Sequence, residues 1–139
     1  MKKIFSFLIA LILMCLALTA VCTADTPRST SYPTATWNIA TAGTYSFSGR
    51  TENETLYTNY RFTGCDSYTI TMTNNNDEDQ KVILRRASDG KKIDTFTVSA
   101  GETDYVYSFD TSYVWYIEFY VNSIIPKGCN FSGTVASAD

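Results

Sequence analysis

The folds open to this chain are limited most by an alternation of apolar and polar residues, broken about every eight to twelve residues by turn chemistry. No stretch after residue 35 repeats its apolar residues at helical spacing. The alternation is cleanest over 67–73, where Tyr68, Ile70 and Met72 interleave with Thr69, Thr71 and Thr73. Over 56–63, Leu56, Tyr60 and Phe62 share one face of extended backbone, and Tyr57, Asn59 and Arg61 share the other. Short strands over 36–39 and 44–48 flank Ala42-Gly43. Strands over 81–87 and 92–98 flank Asp89-Gly90, a dipeptide suited to a tight hairpin because Gly takes positive φ without strain. Further strands over 103–109, 113–121 and 131–136 bring the total to about nine. Short connections predict antiparallel pairing, and two such sheets packed face to face bury the apolar sets. The expected fold is all-β, an antiparallel β-sandwich, with a jelly roll or a barrel closure as the alternatives.

The N-terminus carries an export signal. Lys2 and Lys3 precede an uncharged apolar run over 4–21, then come the small residues of Cys22-Thr23-Ala24 and the polar, turn-prone Asp25-Thr26-Pro27. Residues 1–24 are therefore expected to be a signal peptide and the protein to be secreted, since no basic stop-transfer cluster follows the run. Lipidation at Cys22 is the alternative anchor, but Thr19-Ala20-Val21 is a poor lipobox. Residues 25–35, with Pro27 and Pro33 among hydroxyl side chains, are expected to form a flexible leader ahead of one domain over 36–139.

Without residues 1–24 the chain keeps nine Lys and Arg against fourteen Asp and Glu, a net charge near −5. No basic stripe remains to bind nucleic acid or an anionic membrane. Of the four cysteines, Cys15 and Cys22 leave with the signal, so Cys65 and Cys129 are expected to form one disulfide in an oxidising compartment. Such a bridge would contribute ~4 kcal/mol by constraining the unfolded chain.

The chain has no histidine. Ser-His-Asp and Cys-His catalysis are thereby excluded, and with them the commonest general base and metal ligand. There is no Gly-rich phosphate loop and no metal-ligand spacing, so no cofactor is expected. Paired carboxylates remain the one hydrolytic chemistry open to it, with Glu52, Glu54, Asp104, Asp110 and Glu118 as candidates. Nothing in the spacing pairs any two of them, and a non-catalytic role is the leading expectation.

Two segments are candidate sites. In 113–121, Tyr113, Trp115, Ile117, Phe119 and Val121 form an apolar face suited to the core, while Tyr116 and Tyr120 flank Glu118 on the other. Flat phenol rings beside a carboxylate suit a glycan or a peptide; alternatively these tyrosines only cover neighbouring strands. The loop 74–79 concentrates three amides and three acids, which makes Asp77, Glu78 and Asp79 candidate calcium ligands, or else a solvated hairpin tip. Asn53-Glu54-Thr55 and Asn130-Phe131-Ser132 fit the glycosylation triplet, but the Lys-Lys n-region looks bacterial and leaves them idle.

An acidic loop, Asp77-Glu78-Asp79, precedes the aliphatic Val82-Ile83-Leu84; then come the turn Ser88-Asp89-Gly90-Lys91, the turn Ala100-Gly101-Glu102, the aromatic Tyr113-Val114-Trp115-Tyr116-Ile117-Glu118, and Phe131-Ser132-Gly133-Thr134-Val135. This layout, from Tyr60 to Val135, resembles the bacterial pre-peptidase C-terminal type of β-sandwich. The resemblance implies a non-catalytic extracellular accessory or binding domain. The leading expectation is a secreted module that binds a glycan or peptide; the second is a structural or surface-assembly protein with a protein partner; the third is a small carboxylate-dependent hydrolase.

Overall fold

A computed structural model describes residues 29–122, 124–125 and 127–139. The expected signal peptide, with Cys15 and Cys22, lies outside the described residues. Ten strands follow one another: β1 (Ala35–Asn38), β2 (Tyr45–Thr51), β3 (Leu56–Tyr57), β4 (Tyr60–Thr63), β5 (Ser67–Asn74), β6 (Gln80–Arg86), β7 (Lys92–Val98), β8 (Tyr105–Asp110), β9 (Trp115–Tyr120) and β10 (Cys129–Ser137). One helical turn, α1 (Ile39–Ala42), joins β1 to β2. The first sheet runs β1-β4-β9-β6-β7, with β3 also paired to β9, and the second runs β2-β10-β5-β8. The fold is all-β and sandwich-like, as the alternation predicts.

The inward residues of both sheets make one aromatic core. In β5 every second residue, from Tyr68 through Ile70 and Met72, is buried. From β9, Trp115, Ile117 and Phe119 are buried as expected. Phe119 stacks on Phe131 of β10 at 3.7 Å between ring centroids, and Trp115 meets Phe109 edge-on at 4.7 Å. Such offset and edge-to-face pairs are the favoured aromatic geometries. Packing is close enough to demand a glycine: a Cβ on Gly133 would lie 2.3 Å from the Thr71 carbonyl oxygen and 2.6 Å from the Phe47 ring.

Several expectations are corrected. The segment 56–63 is two strands, because Thr58 is fully buried and turns its hydroxyl to the Tyr60 carbonyl while accepting from the Ile117 amide. Pairing is not uniformly antiparallel: β1 lies parallel to β4. The chain visits the second sheet through β2 between these two strands, and two reversals restore the original direction. β9 starts at Trp115, leaving Tyr113 and Val114 exposed.

The expected disulfide is absent, and Cys65 and Cys129 are both free. Strand register explains this. In the β10–β5 pair Ser137 faces Tyr68 and Phe131 faces Asn74, so Cys129 lies past one end of β5 and Cys65 past the other. From Tyr68 to Asn74 alone is ~20 Å of strand, whereas a disulfide needs Cα atoms within ~7 Å. Burial pushes the Cys129 thiol up to about 11, which leaves it protonated and unreactive.

Candidate functional site

The outer face of the first sheet gathers most of the residues singled out from the sequence. On β9, Tyr116, Glu118 and Tyr120 point away from the core, as expected from the alternation. Across from them on β6 stand Arg85, Ile83 and Lys81, and Tyr57 of β3 stands opposite Glu118 on the other side. Tyr116 and Glu118 are nonetheless only 3% and 5% exposed, whereas Tyr120 is 41% exposed.

The cover over Tyr116 and Glu118 comes from the segment expected to be a flexible leader. From Ser29 onward it is laid against the sheet. The Ser29 carbonyl accepts from the Tyr57 amide at 2.9 Å, and the Pro33 carbonyl accepts from Arg61 Nε at 2.7 Å. The Tyr32 ring then sits 5.0 Å from that of Tyr57 and 6.0 Å from that of Tyr116. Tyr32 itself stays 66% exposed.

Beneath these rings Glu118 is held by an ion pair with Arg85 Nε. Arg85 Nη1 also donates to the Gly90 carbonyl at 2.9 Å, so one guanidinium ties the buried acid to the β6–β7 turn. The bond to Glu118 raises the Arg85 pKa. Burial, followed by the Glu118 charge, pushes the Tyr57 hydroxyl up to about 12. Burial raises Tyr116 as well, with Tyr32 adding to it. Near neutral pH both phenols are hydrogen-bond donors without charge.

These shifts set an alkaline limit. The unfolded Tyr57 loses its proton near pH 10, before the folded one near pH 12. Its contribution is therefore complete below about pH 10 and disappears between about pH 10 and 12. Tyr68 and Tyr107 are raised too, chiefly by burial, and act in the same direction. The melting temperature should hold level from about pH 7 to 9 and fall above about pH 10, with a shallower fall in Tyr57→Phe. An identical alkaline profile in that variant would remove Tyr57 from the explanation.

Two clefts open at the two ends of this face. The first, of about 360 Å³, lies beside the β6–β7 turn and is lined by Tyr32, Arg61, Ser88, Asp89, Gly90 and Tyr116, among others. Gly90 takes φ +69° there, the left-handed conformation this turn requires. Near it Arg86 grips Asp89 with two bonds, of 2.8 and 2.5 Å, and chiefly for that reason the Asp89 carboxyl falls to about 2. The second cleft, of about 380 Å³, includes Tyr120, Lys81, Glu78, Asp79, Asn122 and Lys127. There the Lys81 ammonium sits 5.4 Å from the centre of the Tyr120 ring.

The expected binding set is thus divided. Tyr116 and Glu118 belong with Tyr32, Tyr57, Arg61 and Arg85, while Tyr120 joins Glu78 and Asp79 at the opposite end. The three expected calcium ligands do not converge. Glu78 pairs with Lys127 at 2.8 Å, Asp79 accepts from the Ala100 amide, and no cluster of three or more metal-ligand side chains occurs among the described residues. The loop is organised instead by Asn74, fully buried, whose amide donates to the Glu78, Val98 and Ser99 carbonyls. Among the candidate hydrolytic acids, Glu118 is neutralised on the first sheet and Asp110 bonds Ser67 at the edge strand of the second.

Tyr57 and Arg61 were legible as outward residues of 56–63, but nothing local connected them to Tyr116. Tyr32 carried no signal, since a polar segment without periodicity does not announce what it packs on.

No protein-family model matches the chain, and no curated protein matches it. The likeness to the pre-peptidase C-terminal type of sandwich rests on its sequence motifs alone.

Proposed function

We propose that this is a secreted, non-catalytic module that binds an extracellular glycan in the cleft beside the β6–β7 turn. The observation that carries this reading is one exposed ring, Tyr32, at a cleft that also offers the edge of Tyr116, Arg61 and Ser88. Tyrosine rings pack on the C–H faces of sugars at low entropic cost. The surrounding donors and acceptors reach hydroxyls, and the volume falls in the usual range for small-ligand sites.

The architecture suits such a role. Omitting β1 and the two-residue β3, the sheet orders β2-β10-β5-β8 and β4-β9-β6-β7 correspond to an eight-stranded jelly roll, which supports that finer description of the sandwich. Since a fold does not specify function, the weight rests on the cleft. The export signal and the resemblance to an extracellular accessory domain point the same way.

A glycan array probed with the exported protein should give binders, and Tyr32→Ala should weaken them on the order of tenfold, equivalent to ~1.4 kcal/mol. Because Tyr32 is mostly exposed, its loss should move stability by no more than ~0.5 kcal/mol. Unchanged glycan binding by a folded Tyr32→Ala protein would place the site elsewhere.

A further inference from the structure

We infer that the glycan taken by this cleft is acidic, a sugar bearing a carboxylate, and that Arg61 is the residue that reads the charge. This rests on the glycan-binding reading and specifies its ligand class.

Three guanidinium groups stand at this end of the first sheet, and two are already neutralised. Arg85 is paired with Glu118, and Arg86 with Asp89. Arg61 differs. Its Nε is occupied by the uncharged Pro33 carbonyl, and no carboxylate among the described residues reaches it within ion-pair distance. It is also a wall of the cleft, close enough that its charge bears on the Tyr116 hydroxyl. The Pro33 bond orients the guanidinium, leaving its two terminal nitrogens as a planar pair of donors. That is the arrangement that accepts a carboxylate through two parallel bonds.

Basic residues are concentrated at this end of the sheet. Of the nine Lys and Arg in residues 25–139, five cluster here: Arg61, Arg85, Arg86, Lys91 and Lys92. The acids of the loops at 52–54 and 77–79 lie at the far end, with Tyr120 rather than with Trp115, as the β6–β9 register shows. Asp66, Asp89 and Asp110 also stand at the Trp115 end, so the pull on an anion is local to Arg61 and is not a property of the whole end. The Tyr116 and Ser88 hydroxyls add donors to the cleft, and the Asp89 carboxylate that also lines it is already paired with Arg86.

The test compares polygalacturonate with the same polymer after its carboxyls are fully methyl-esterified, and sialyllactose with lactose, by calorimetry on the exported protein. The acidic member of at least one pair should bind tenfold or more tightly, and the preference should shrink as salt rises. Arg61→Gln should bring the ratio close to one while residual binding of the neutral partner persists. Arg61→Lys, which keeps the charge and loses the planar fork, should retain only part of the preference, and melting temperatures should establish that both variants are folded. Equal binding of acidic and neutral partners by the unmodified protein would overturn the inference and leave the glycan reading standing. A preference that survives Arg61→Gln, or a stronger one for a sulfated polymer such as heparin, would also overturn it. Failure to bind any glycan would remove both.

Discussion

Trp115→Ala should leave a domain that melts some tens of degrees below the parent or has lost its cooperative transition. Trp115 is fully buried at the start of β9 and joins the two sheets. Its ring contacts Phe62 at 4.9 Å in its own sheet, and Tyr68 at 5.1 Å and Phe109 at 4.7 Å in the other. Removing a buried aromatic costs about 3–5 kcal/mol, because the transfer energy is lost and the rigid neighbours close the cavity only partly. Small domains have about 5–15 kcal/mol in total, and each kcal/mol corresponds to roughly 4–8 °C at this size. Thermal unfolding followed by near-ultraviolet circular dichroism checks this, with Trp115→Phe as the milder companion. A loss of only a few degrees in Trp115→Ala would mean that the sheets are not held together through this residue.

The second large effect concerns the ion pair on the outer face. Arg85→Met should destabilise the fold by about 2–3 kcal/mol, whereas Arg85→Met combined with Glu118→Leu should recover most of that. Removing one partner of a buried pair usually costs about 3–5 kcal/mol, since the remaining charge is stranded. Arg85 keeps 27% of its side chain exposed, so water moderates the loss here. The single change also removes the bond from Arg85 to the Gly90 carbonyl, which anchors the β6–β7 turn. In the double variant no carboxylate is left under the Tyr32, Tyr57 and Tyr116 rings, and replacing a buried pair by apolar side chains is often close to neutral. Urea titrations of the two single variants and the double variant give the coupling energy directly. A double variant as unstable as Arg85→Met would show that the lost turn contact, rather than the stranded charge, sets the cost.

This ion pair also changes the meaning of Glu118. In the sequence it stood as a free acid between two phenols, available to a ligand. In the fold it is consumed by an arginine 33 residues away. Ion pairing across strands follows from which strands become neighbours, and no local pattern reports that.

The sequence by itself determined the class of fold and the two faces of its best strands. Alternation is a property of a few consecutive residues, because each strand residue turns its side chain opposite to the last. Hence the buried sets of β5 and β9, the half-buried Tyr105 and Tyr107 beside the buried Phe109, and the turn at Asp89-Gly90 were all legible. Only the tertiary structure decided the order of the strands, the parallel β1–β4 pair, the packing of Ser29 to Pro33 over the outer face, and the separation of Cys65 from Cys129. Each of these depends on strand neighbours and register between segments distant in the chain. An alternating pattern is satisfied equally well by many such pairings, and the choice among them is made by the packing of the whole core.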